Sequence, residues 1–456
     1  MSLKISISGV RGLVPETLTP EVCLDFAKAF GTYLSEKNPQ SIPKIVVGTD
    51  PRSSSESIKE IVFSGLLYAG CKIVDLGICP TPTVGIMLRE LEASGGMIIT
   101  ASHNPLPWNG LKFLRGDGIF LNEAQAQNLI DIYNAKTFKK GKAGKLASNS
   151  SAIDTHIKNI LKTINPRSIR LKKIKVAVDC CNGAGSKASL KLLEKLGCQI
   201  EAINCNPSLP FPHPPEPLAE NLGDLSKLVI SKNAQIGFAF DADADRLAIV
   251  SEKGKPIGEE LSLALAVKFI LNKHRRGSPK KKIVITNLST TKVIDDIVRD
   301  FGGTVIRTKI GEVHVAEELK KLKGLIGGEG NGGVIYPPVG FNRDGLTALA
   351  LVLSLMARSG KKISELVSEI PSYYMTKTKI ACKDHDQAED FIKKVKEHFK
   401  GKDLILTDGV KAVLPSGWVH VRASNTEPVI RVIAEGGQKE EVENLVRQIL
   451  EALDQA

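Results

Sequence analysis

The chain has 456 residues, a length typical of three or four domains and too long for one ordinary domain. Hydrophobic residues make up 42% and charged residues 25% of it, as in soluble globular proteins, which excludes a disordered or collagen-like chain. The net charge of +12 suits a nucleic acid and a small anionic substrate equally well, so composition does not choose between them.

Amphipathic helical segments alternate with short β-branched runs along the chain, which predicts a mostly parallel α/β architecture. The first helix is predicted where Val22, Phe26, Phe30 and Tyr33 recur at helical spacing. Predicted strands follow, each ending in a turn or a polar loop, at residues 44–47, 96–99, 176–178, 236–240 and 283–285. Because parallel sheets present functional groups at the carboxyl ends of their strands, we expect the active site in these loops.

Three polar stretches are candidate domain boundaries: residues 139–151, 251–255 and 359–362. They divide the chain into four predicted domains, each within the usual size range: 1–145, 146–252, 253–366 and 367–456.

The first candidate site is the loop at residues 100–105, which follows a predicted strand and carries Ser102 and His103, with Lys112 shortly beyond. We expect the Ser102 hydroxyl to be exposed in this loop, where it can act as a nucleophile while neighbouring donors neutralise an incoming anion. A hydrogen-bonded turn without a catalytic role is the alternative.

The second candidate site is an acidic cluster, Asp241, Asp243 and Asp245, which follows an apolar predicted strand and precedes Arg246. Carboxylates at alternate positions share one side of an extended segment, and they repel one another unless a hard cation such as Mg²⁺ lies between them. The pattern therefore predicts a metal site, with a solvated acidic turn as the alternative. The segment does not match an EF-hand loop, because the glycine at loop position six and the glutamate at position twelve are missing.

Two further loops have residues suited to binding. Five glycines surround Glu329 and Asn331 in the segment 327–333, and they allow close approach of the backbone to a ligand. Near the C-terminus, a group of guanidinium, hydroxyl and amide donors suits a phosphate dianion: Arg422, Ser424, Asn425, Thr426 and Arg431. An ordinary solvated loop is the alternative for each.

These four motifs, in this order and at these separations, resemble those of the α-D-phosphohexomutase family, which includes phosphoglucomutases, phosphomannomutases and phosphoglucosamine mutases. The resemblance covers nearly the whole chain, and the segments 8–12 and 47–54 support it. It implies three similar α/β domains and a smaller C-terminal α+β domain around a central cleft. It also implies interconversion of hexose 1-phosphate and hexose 6-phosphate through a phosphoserine and a bisphosphorylated sugar.

The resemblance also implies a role for each motif. Ser102 would be the phosphoserine, and its phosphate would share Mg²⁺ with Asp241, Asp243 and Asp245. The reaction centre would contain His103, Arg11, Arg246 and the candidate general acid or base Lys112. Sugar hydroxyls would be bound by Glu329 and Asn331. The phosphate that is not transferred would be held by Arg422, Ser424, Asn425, Thr426 and Arg431.

One departure leaves the preferred hexose open. Many bacterial members carry a serine and a histidine in the third loop, where this chain has Asn331 and Gly333. We expect glucose or mannose phosphates as substrates, with a hexose 1,6-bisphosphate as activator and intermediate. A phosphoglucosamine mutase is the nearest alternative, and a metal-dependent phosphohydrolase that uses Ser102 is a distant one.

The remaining features concern partners and location. The N-terminus lacks the apolar core of a signal peptide, and the longest apolar run, at residues 346–357, is too short to span a bilayer. The eight cysteines contain no Cys-x-x-Cys pair. The basic clusters lack interleaved aromatic residues. We therefore expect a soluble cytoplasmic protein, a monomer or homodimer with reduced thiols, which binds neither nucleic acid nor membranes.

Overall fold

The computed structural model describes residues 3–142, 144–274, 281–424 and 429–454. Within these residues the chain forms three mixed sheets with parallel central strands, followed by one antiparallel sheet. The α/β architecture expected from the sequence is confirmed. No helix in the described part of the chain is both long enough and apolar enough to cross a membrane.

The first sheet has seven strands: β1 (Lys4–Ser6), β2 (Gly9–Leu13), β3 (Lys44–Thr49), β4 (Lys72–Ile78), β5 (Gly95–Ile99), β6 (Trp108–Arg115) and β7 (Leu146–Ser148). Their order across the sheet is β1-β2-β6-β5-β3-β4-β7. The helices of this domain are α1 (Pro20–Lys37), α2 (Ser55–Tyr68), α3 (Thr81–Glu90) and α4 (Glu123–Ala135).

The predicted first helix is confirmed as α1. It begins at Pro20 because the Thr19 side chain accepts a hydrogen bond from the Val22 amide, and because proline is favoured in the first turn. The predicted apolar stripe faces the domain core, where Phe26 and Phe30 are completely buried.

The second and third sheets have four strands each. The second contains β8 (Lys175–Asp179), β9 (Gln199–Ile203), β10 (Ile236–Phe240) and β11 (Leu247–Ser251), with helices α5 (Ala152–Thr163), α6 (Pro166–Arg170), α7 (Gly185–Lys195) and α8 (Gly223–Ser231) and a 3₁₀ turn (Ala219–Asn221). The third contains β12 (Ile283–Asn287), β13 (Thr304–Thr308), β14 (Ile326–Glu329) and β15 (Gly333–Ile335), with helices α9 (Glu260–Lys273), α10 (Val293–Asp300), α11 (Glu312–Leu322), α12 (Gly345–Ser359) and α13 (Ile363–Ser368).

The first three sheets share one plan. In each, four consecutive strands lie in the order second, first, third, fourth, and only the fourth is antiparallel to its neighbour. The strands that follow this plan are β3 to β6, β8 to β11 and β12 to β15. The three similar α/β domains implied by the sequence are therefore present.

The fourth sheet is built differently. Its strands are β16 (Tyr374–Ala381), β17 (Asp403–Ile405), β18 (Val410–Leu414), β19 (Gly417–Ala423) and β20 (Val429–Gly436), in the order β16-β20-β19-β18-β17. Two helices, α14 (His385–His398) and α15 (Lys439–Asp454), pack against it around a separate hydrophobic core.

The first three domains share a continuous hydrophobic core. The long apolar run forms α12, of which all but the last two residues are buried, and α12 contacts helices of both the second and the third domain. Side chains from the first domain, such as Val84 and Leu88, belong to the same cluster. The three domains are therefore packed into one unit by apolar burial, the main favourable term in folding.

One predicted domain boundary lies immediately before a strand of the first sheet, and another lies within a helix. Strand β7 lies just beyond residue 145, yet it pairs with β4 in the first sheet. The boundary at residue 366 falls within α13, because Ile363 and Leu366 pack into the shared core although they follow a polar stretch. Polar composition marks where the chain meets solvent, which differs here from where a sheet or a core ends. The boundary at residue 252 stays a prediction.

Candidate active site

A cleft of about 920 Å³ lies where the four domains meet. Its lining includes Arg11 from the first domain, Arg246 from the second, Glu329 from the third and Arg431 from the fourth. The motifs identified in the sequence therefore converge on one cavity, although they are separated by hundreds of residues.

Ser102 lies in the loop after β5. Its backbone has the left-handed conformation, with φ of +53°, which is unfavourable for a residue with a side chain and is often found at functional sites. The hydroxyl donates to Asp241 Oδ2 over 3.4 Å. Ser102 is only 1% exposed, so the expectation of an exposed hydroxyl is wrong. The reason is that the second domain places Asp241 directly against the loop.

Arg52 holds this loop in place. Its guanidinium donates to the carbonyl oxygens of Ser102, Asn104, Pro105 and Trp108, at 2.7, 2.6, 3.2 and 2.9 Å. The remaining donor, Nε, bonds to Asp50 Oδ2 over 2.9 Å. All five N–H groups of the guanidinium are thereby used, which balances the strain at Ser102. In the sequence Arg52 is visible only as part of a motif, and its contacts come from the structure.

The acidic cluster follows β10. Residues 242–243 form a turn and residues 244–245 a bend, with Ala244 at φ of +56°, so the expectation of an extended segment is wrong. The chain must reverse here because the next strand, β11, runs antiparallel to β10. The three carboxylates nevertheless converge: one oxygen from each of Asp241, Asp243 and Asp245 lies within 4.8 Å of the others.

Cations and donors from the first domain stabilise this buried negative charge. Lys112 Nζ lies 2.6 Å from Asp243 Oδ2 and 3.8 Å from Asp245 Oδ2. The Thr81 hydroxyl donates a hydrogen bond to Asp243 Oδ2 over 2.7 Å. Burial favours the protonated form of Asp243, but Lys112 and Thr81 outweigh it and lower the pKa below its ordinary value.

Asp241 shows the opposite effect. Burial raises its pKa well above the ordinary value, and the negative charges of Asp245 and Asp243 raise it further. A bound cation would oppose both causes, because it stabilises the ionised carboxylate.

The free oxygens of the cluster fit a hard cation. Asp243 Oδ1 and Asp245 Oδ1 are buried, and neither accepts a hydrogen bond from any residue that the structure describes. Buried acceptors without partners are costly, and carboxylate oxygens are the ligands that Mg²⁺ prefers. The cluster can therefore hold a metal ion.

Basic side chains surround the cleft above Ser102. Arg11 Nη1 donates to Asn104 Oδ1 over 3.2 Å, and Arg246 Nη1 donates to Glu216 Oε1 over 3.1 Å. His103 Nε2 lies 3.8 Å from the same Glu216 oxygen. The positive charge of Arg246, burial and the charge of Arg11 hold the pKa of His103 well below its ordinary value.

The third loop directs two polar side chains toward the cleft. Glu329 accepts hydrogen bonds from Asn287 Nδ2 at 2.8 Å, the Gly311 amide at 3.1 Å and Arg343 Nη1 at 2.8 Å. Asn331 lines the cleft and accepts from the Gly333 amide over 3.2 Å. Both predicted sugar-binding residues therefore face the cavity.

The fourth domain contributes a row of cations. Lys379 is paired with Arg431 across β16 and β20, and Arg431 is paired with Arg422 across β20 and β19. All three side chains line the cleft. Like charges directly opposite one another destabilise a sheet, so the row is suited to an anion. Ser424 is buried beside it, whereas Asn425 and Thr426 lie outside the described residues.

Three of the cations that line the cleft were missed in the sequence: Arg343, Lys377 and Lys379. Lys379 could have been found from the alternation of β16, in which Lys377 and Lys379 share one face of the strand. Arg343 had no clear signal, because it lies in an irregular loop immediately before α12.

Comparison with known families agrees with this geometry. Models of the phosphoglucomutase/phosphomannomutase family match four consecutive parts of the chain: α/β/α domain I at residues 3–140, domain II at 154–254, domain III at 258–374 and the C-terminal domain at 378–452. The chain belongs to the phosphoglucomutase/phosphomannomutase family. It is therefore an enzyme of the phosphohexomutase type, in the isomerase class.

Individual relatives are similar over almost their whole length. A "phosphoglucomutase/phosphomannomutase" of Thermococcus kodakarensis is 37% identical, with 98% of each chain covered. A "probable phosphoglucosamine mutase" of Methanopyrus kandleri is 35% identical, with 96% of this chain and 95% of the relative covered. A solved structure of a phosphoglucomutase/phosphomannomutase family protein from Burkholderia thailandensis is 26% identical, with a TM-score of 0.85 and coverage of 99% and 98%.

The departure of this phosphohexomutase in its third loop has a steric reason. A Cβ atom at Gly333 would overlap the Arg343 side chain, which passes beside it on the way to Glu329. Any larger residue at position 333 would therefore require the Arg343 side chain to move.

The Arg52 contacts lead to a test. Arg52→Lys leaves several buried carbonyl oxygens without donors, at roughly 1 to 3 kcal/mol for each unsatisfied group. We expect the free energy of unfolding, measured by urea denaturation, to fall by at least about 2 kcal/mol. We also expect lower mutase activity, because the Ser102 loop loses its support. An unchanged denaturation midpoint together with unchanged activity would contradict this assignment.

Proposed function

We propose that this phosphohexomutase interconverts hexose 1-phosphate and hexose 6-phosphate by way of a phosphoryl group carried on Ser102. One observation supports the proposal above all. The Ser102 hydroxyl contacts the Asp241 carboxylate across the boundary between two domains. The contact lies next to a cleft that is lined by His103 and Arg246 and by a separate row of cations in the fourth domain. A nucleophile, a metal-binding cluster and a second anion site are the three parts that a mutase needs.

In the first step, the bond between phosphorus and Ser102 Oγ breaks and a new bond forms between phosphorus and a sugar hydroxyl oxygen. The hydroxyl proton leaves to a base, and Ser102 Oγ regains a proton. Lys112 and His103 are the candidates for proton transfer, because both line the cleft and His103 follows Ser102 directly in the chain. The second step reverses these changes at the other end of the sugar.

The charge on the transferred group is neutralised from several sides. We assign Asp241, Asp243 and Asp245 to a Mg²⁺ site that includes an oxygen of the Ser102 phosphate. When bound, Mg²⁺ neutralises the negative charge of the transferred phosphoryl oxygens. Arg11 and Arg246, which line the cleft, supply further positive charge where that group passes.

A bisphosphorylated sugar must turn around between the two steps. The row of Arg422, Arg431 and Lys379, with the loop residues Ser424, Asn425 and Thr426, is assigned to the phosphate that is not being transferred. This site must accept the 6-phosphate in one half of the cycle and the 1-phosphate in the other. A hexose 1,6-bisphosphate would also activate the enzyme by phosphorylating free Ser102.

Two classes of hexose phosphate are candidate substrates, and the name of one relative favours each class. The relative from Thermococcus kodakarensis, named a phosphoglucomutase/phosphomannomutase, favours glucose and mannose phosphates. The relative from Methanopyrus kandleri, named a probable phosphoglucosamine mutase, favours glucosamine phosphate. Turnover of glucose 1-phosphate, mannose 1-phosphate and glucosamine 6-phosphate, measured side by side, decides between them. A phosphohydrolase would instead release free phosphate in the same assay.

A cytoplasmic location is also part of the proposal. All eight cysteines are free thiols, as expected in a reducing compartment. A monomer or homodimer without nucleic-acid or membrane partners stays a prediction.

Ser102→Ala tests the nucleophile. We expect mutase activity to fall by several orders of magnitude, because no other hydroxyl takes over the phosphoryl group. Loss of the hydrogen bond to Asp241 should lower the free energy of unfolding by about 1 kcal/mol, so we expect the variant to stay folded. Intact-mass spectrometry of the wild type should find one phosphoryl group on part of the protein, and none on the variant. Near-wild-type turnover by the variant would exclude the phosphoserine role.

Asp243→Asn tests the metal site. The change removes one hard ligand and the negative partner of Lys112, so we expect kcat to fall at least a hundredfold, as for other losses of charge stabilisation at a reacting group. Exhaustive chelation of the wild type should have the same effect, with recovery on addition of Mg²⁺. Activity that survives both treatments would make the cluster purely structural.

Arg422→Ala tests the cation row. A charge-assisted contact contributes roughly 1.5 to 3 kcal/mol, so kcat/KM should fall by roughly tenfold to a hundredfold in both directions. More hexose 1,6-bisphosphate should dissociate into solution per turnover, because the cation row binds its second phosphate more weakly while the sugar reorients. Unchanged escape and unchanged kcat/KM would remove Arg422 from the site.

A further inference from the structure

The side chain of Arg343 lies between two parts of the active site that have different tasks. Its Nη2 atom donates to Asp245 Oδ2 over 2.6 Å, and its Nη1 atom donates to Glu329 Oε2 over 2.8 Å. Asp245 belongs to the acidic cluster, and Glu329 belongs to the third loop. One planar guanidinium therefore links the metal-binding cluster of the second domain to the sugar-binding loop of the third.

Arg343 is held firmly at this position. Its backbone amide donates to Glu312 Oε1 over 2.7 Å. The next residue, Asp344, caps α12 by accepting from the Leu346 and Thr347 amides at 3.0 and 3.1 Å. Asp344 also contacts His156 Nε2 of the second domain at 2.8 Å. The backbone on either side of the guanidinium is thus fixed by contacts within the third domain and to the second.

The contact with Asp245 determines how that carboxylate is presented. Oδ2 is occupied by Arg343, while Oδ1 is the buried oxygen for which the structure shows no hydrogen-bond partner among the described residues. Outer partners of this kind orient a ligand carboxylate and commonly change metal affinity by about 10- to 100-fold when they are removed. Lysine would not reproduce this bridge, because its ammonium group has one nitrogen, whereas the guanidinium donates from two separate nitrogens in a fixed planar geometry.

We propose that Arg343 is a positioning residue that couples the metal-binding cluster to the sugar-binding loop, through its bridge from Asp245 to Glu329. The proposal rests on the function proposed above. A substitution of Glu329 then changes the metal affinity of the cluster, although Glu329 is not one of its three carboxylates. By thermodynamic linkage, an occupied cluster also favours the orientation of Glu329 that binds sugar.

The test measures binding of Mn²⁺, as a paramagnetic probe for the cluster, to full-length protein dephosphorylated at Ser102. Free Mn²⁺ is followed by electron paramagnetic resonance, so no turnover is needed. Arg343→Lys should weaken Mn²⁺ binding by about tenfold. Glu329→Gln should weaken it by about threefold in the wild type and have no further effect in the Arg343→Lys background, as expected for residues that act through one contact.

Two more variants make the test specific. Gly333→Ala should reproduce the Arg343→Lys effect, because the added methyl group would displace the arginine side chain. Arg115→Lys is the matched control. Arg115 bridges Asp117 of the first domain and Glu317 of the third, at 3.1 and 2.6 Å, and is not among the described residues that line the cleft. Its substitution should leave Mn²⁺ affinity unchanged.

The outcomes separate this proposal from the function on which it rests. The coupling would be overturned if Arg343→Lys bound Mn²⁺ with wild-type affinity, or if the effects of Arg343→Lys and Glu329→Gln on Mn²⁺ affinity were additive. Neither result would affect the proposed function, which mutase activity tests separately. Absence of Mn²⁺ binding to the wild type would overturn both. If Arg343→Lys does not fold, Glu329→Gln alone decides, since unchanged Mn²⁺ affinity in that variant excludes the coupling.

Discussion

The active site depends on the stabilisation of negative charge that is buried where domains meet. Asp241, Asp243 and Asp245 lie together with almost no exposure, which is costly unless positive charge is close. The cations come from elsewhere in the chain: Lys112 from the first domain and Arg343 from the third. Arg246, in the same domain as the cluster, adds a third cation 3.8 Å from Asp245 Oδ1. Full stabilisation of the cluster therefore requires the domains to be packed together, and the shared apolar core around α12 holds them in that arrangement.

The repeated sheet plan explains why the functional loops meet. In each α/β domain the third strand of the plan ends in a functional loop before the chain turns back as the antiparallel fourth strand. Ser102 follows β5, the acidic cluster follows β10, and the glycine-rich loop begins at the end of β14. The same structural hairpin thus carries the three sets of residues that the proposed function assigns as nucleophile, metal-binding cluster and sugar contact.

The fourth domain contributes charge in a different manner. Its antiparallel sheet presents Lys379, Arg431 and Arg422 in one row, so the spacing of the cations is set by the spacing between strands. A separate core supports this sheet. The proposed second anion site therefore lies on a regular β-sheet, while the proposed reacting groups come mainly from loops of the other domains.

The sequence alone determined the fold class, the family and the four motifs that contribute residues to the cleft. It could do so because strand ends, an Asp-x-Asp-x-Asp run and glycine-rich turns are local patterns, and local chemistry is visible in consecutive residues. Only the tertiary structure decided how these groups are presented. Ser102 is buried because Asp241 lies against it, the carboxylates meet through turns instead of an extended strand, and Arg343 and Lys379 join the site. These features arise from contacts between residues far apart in the chain, and no local pattern records such contacts.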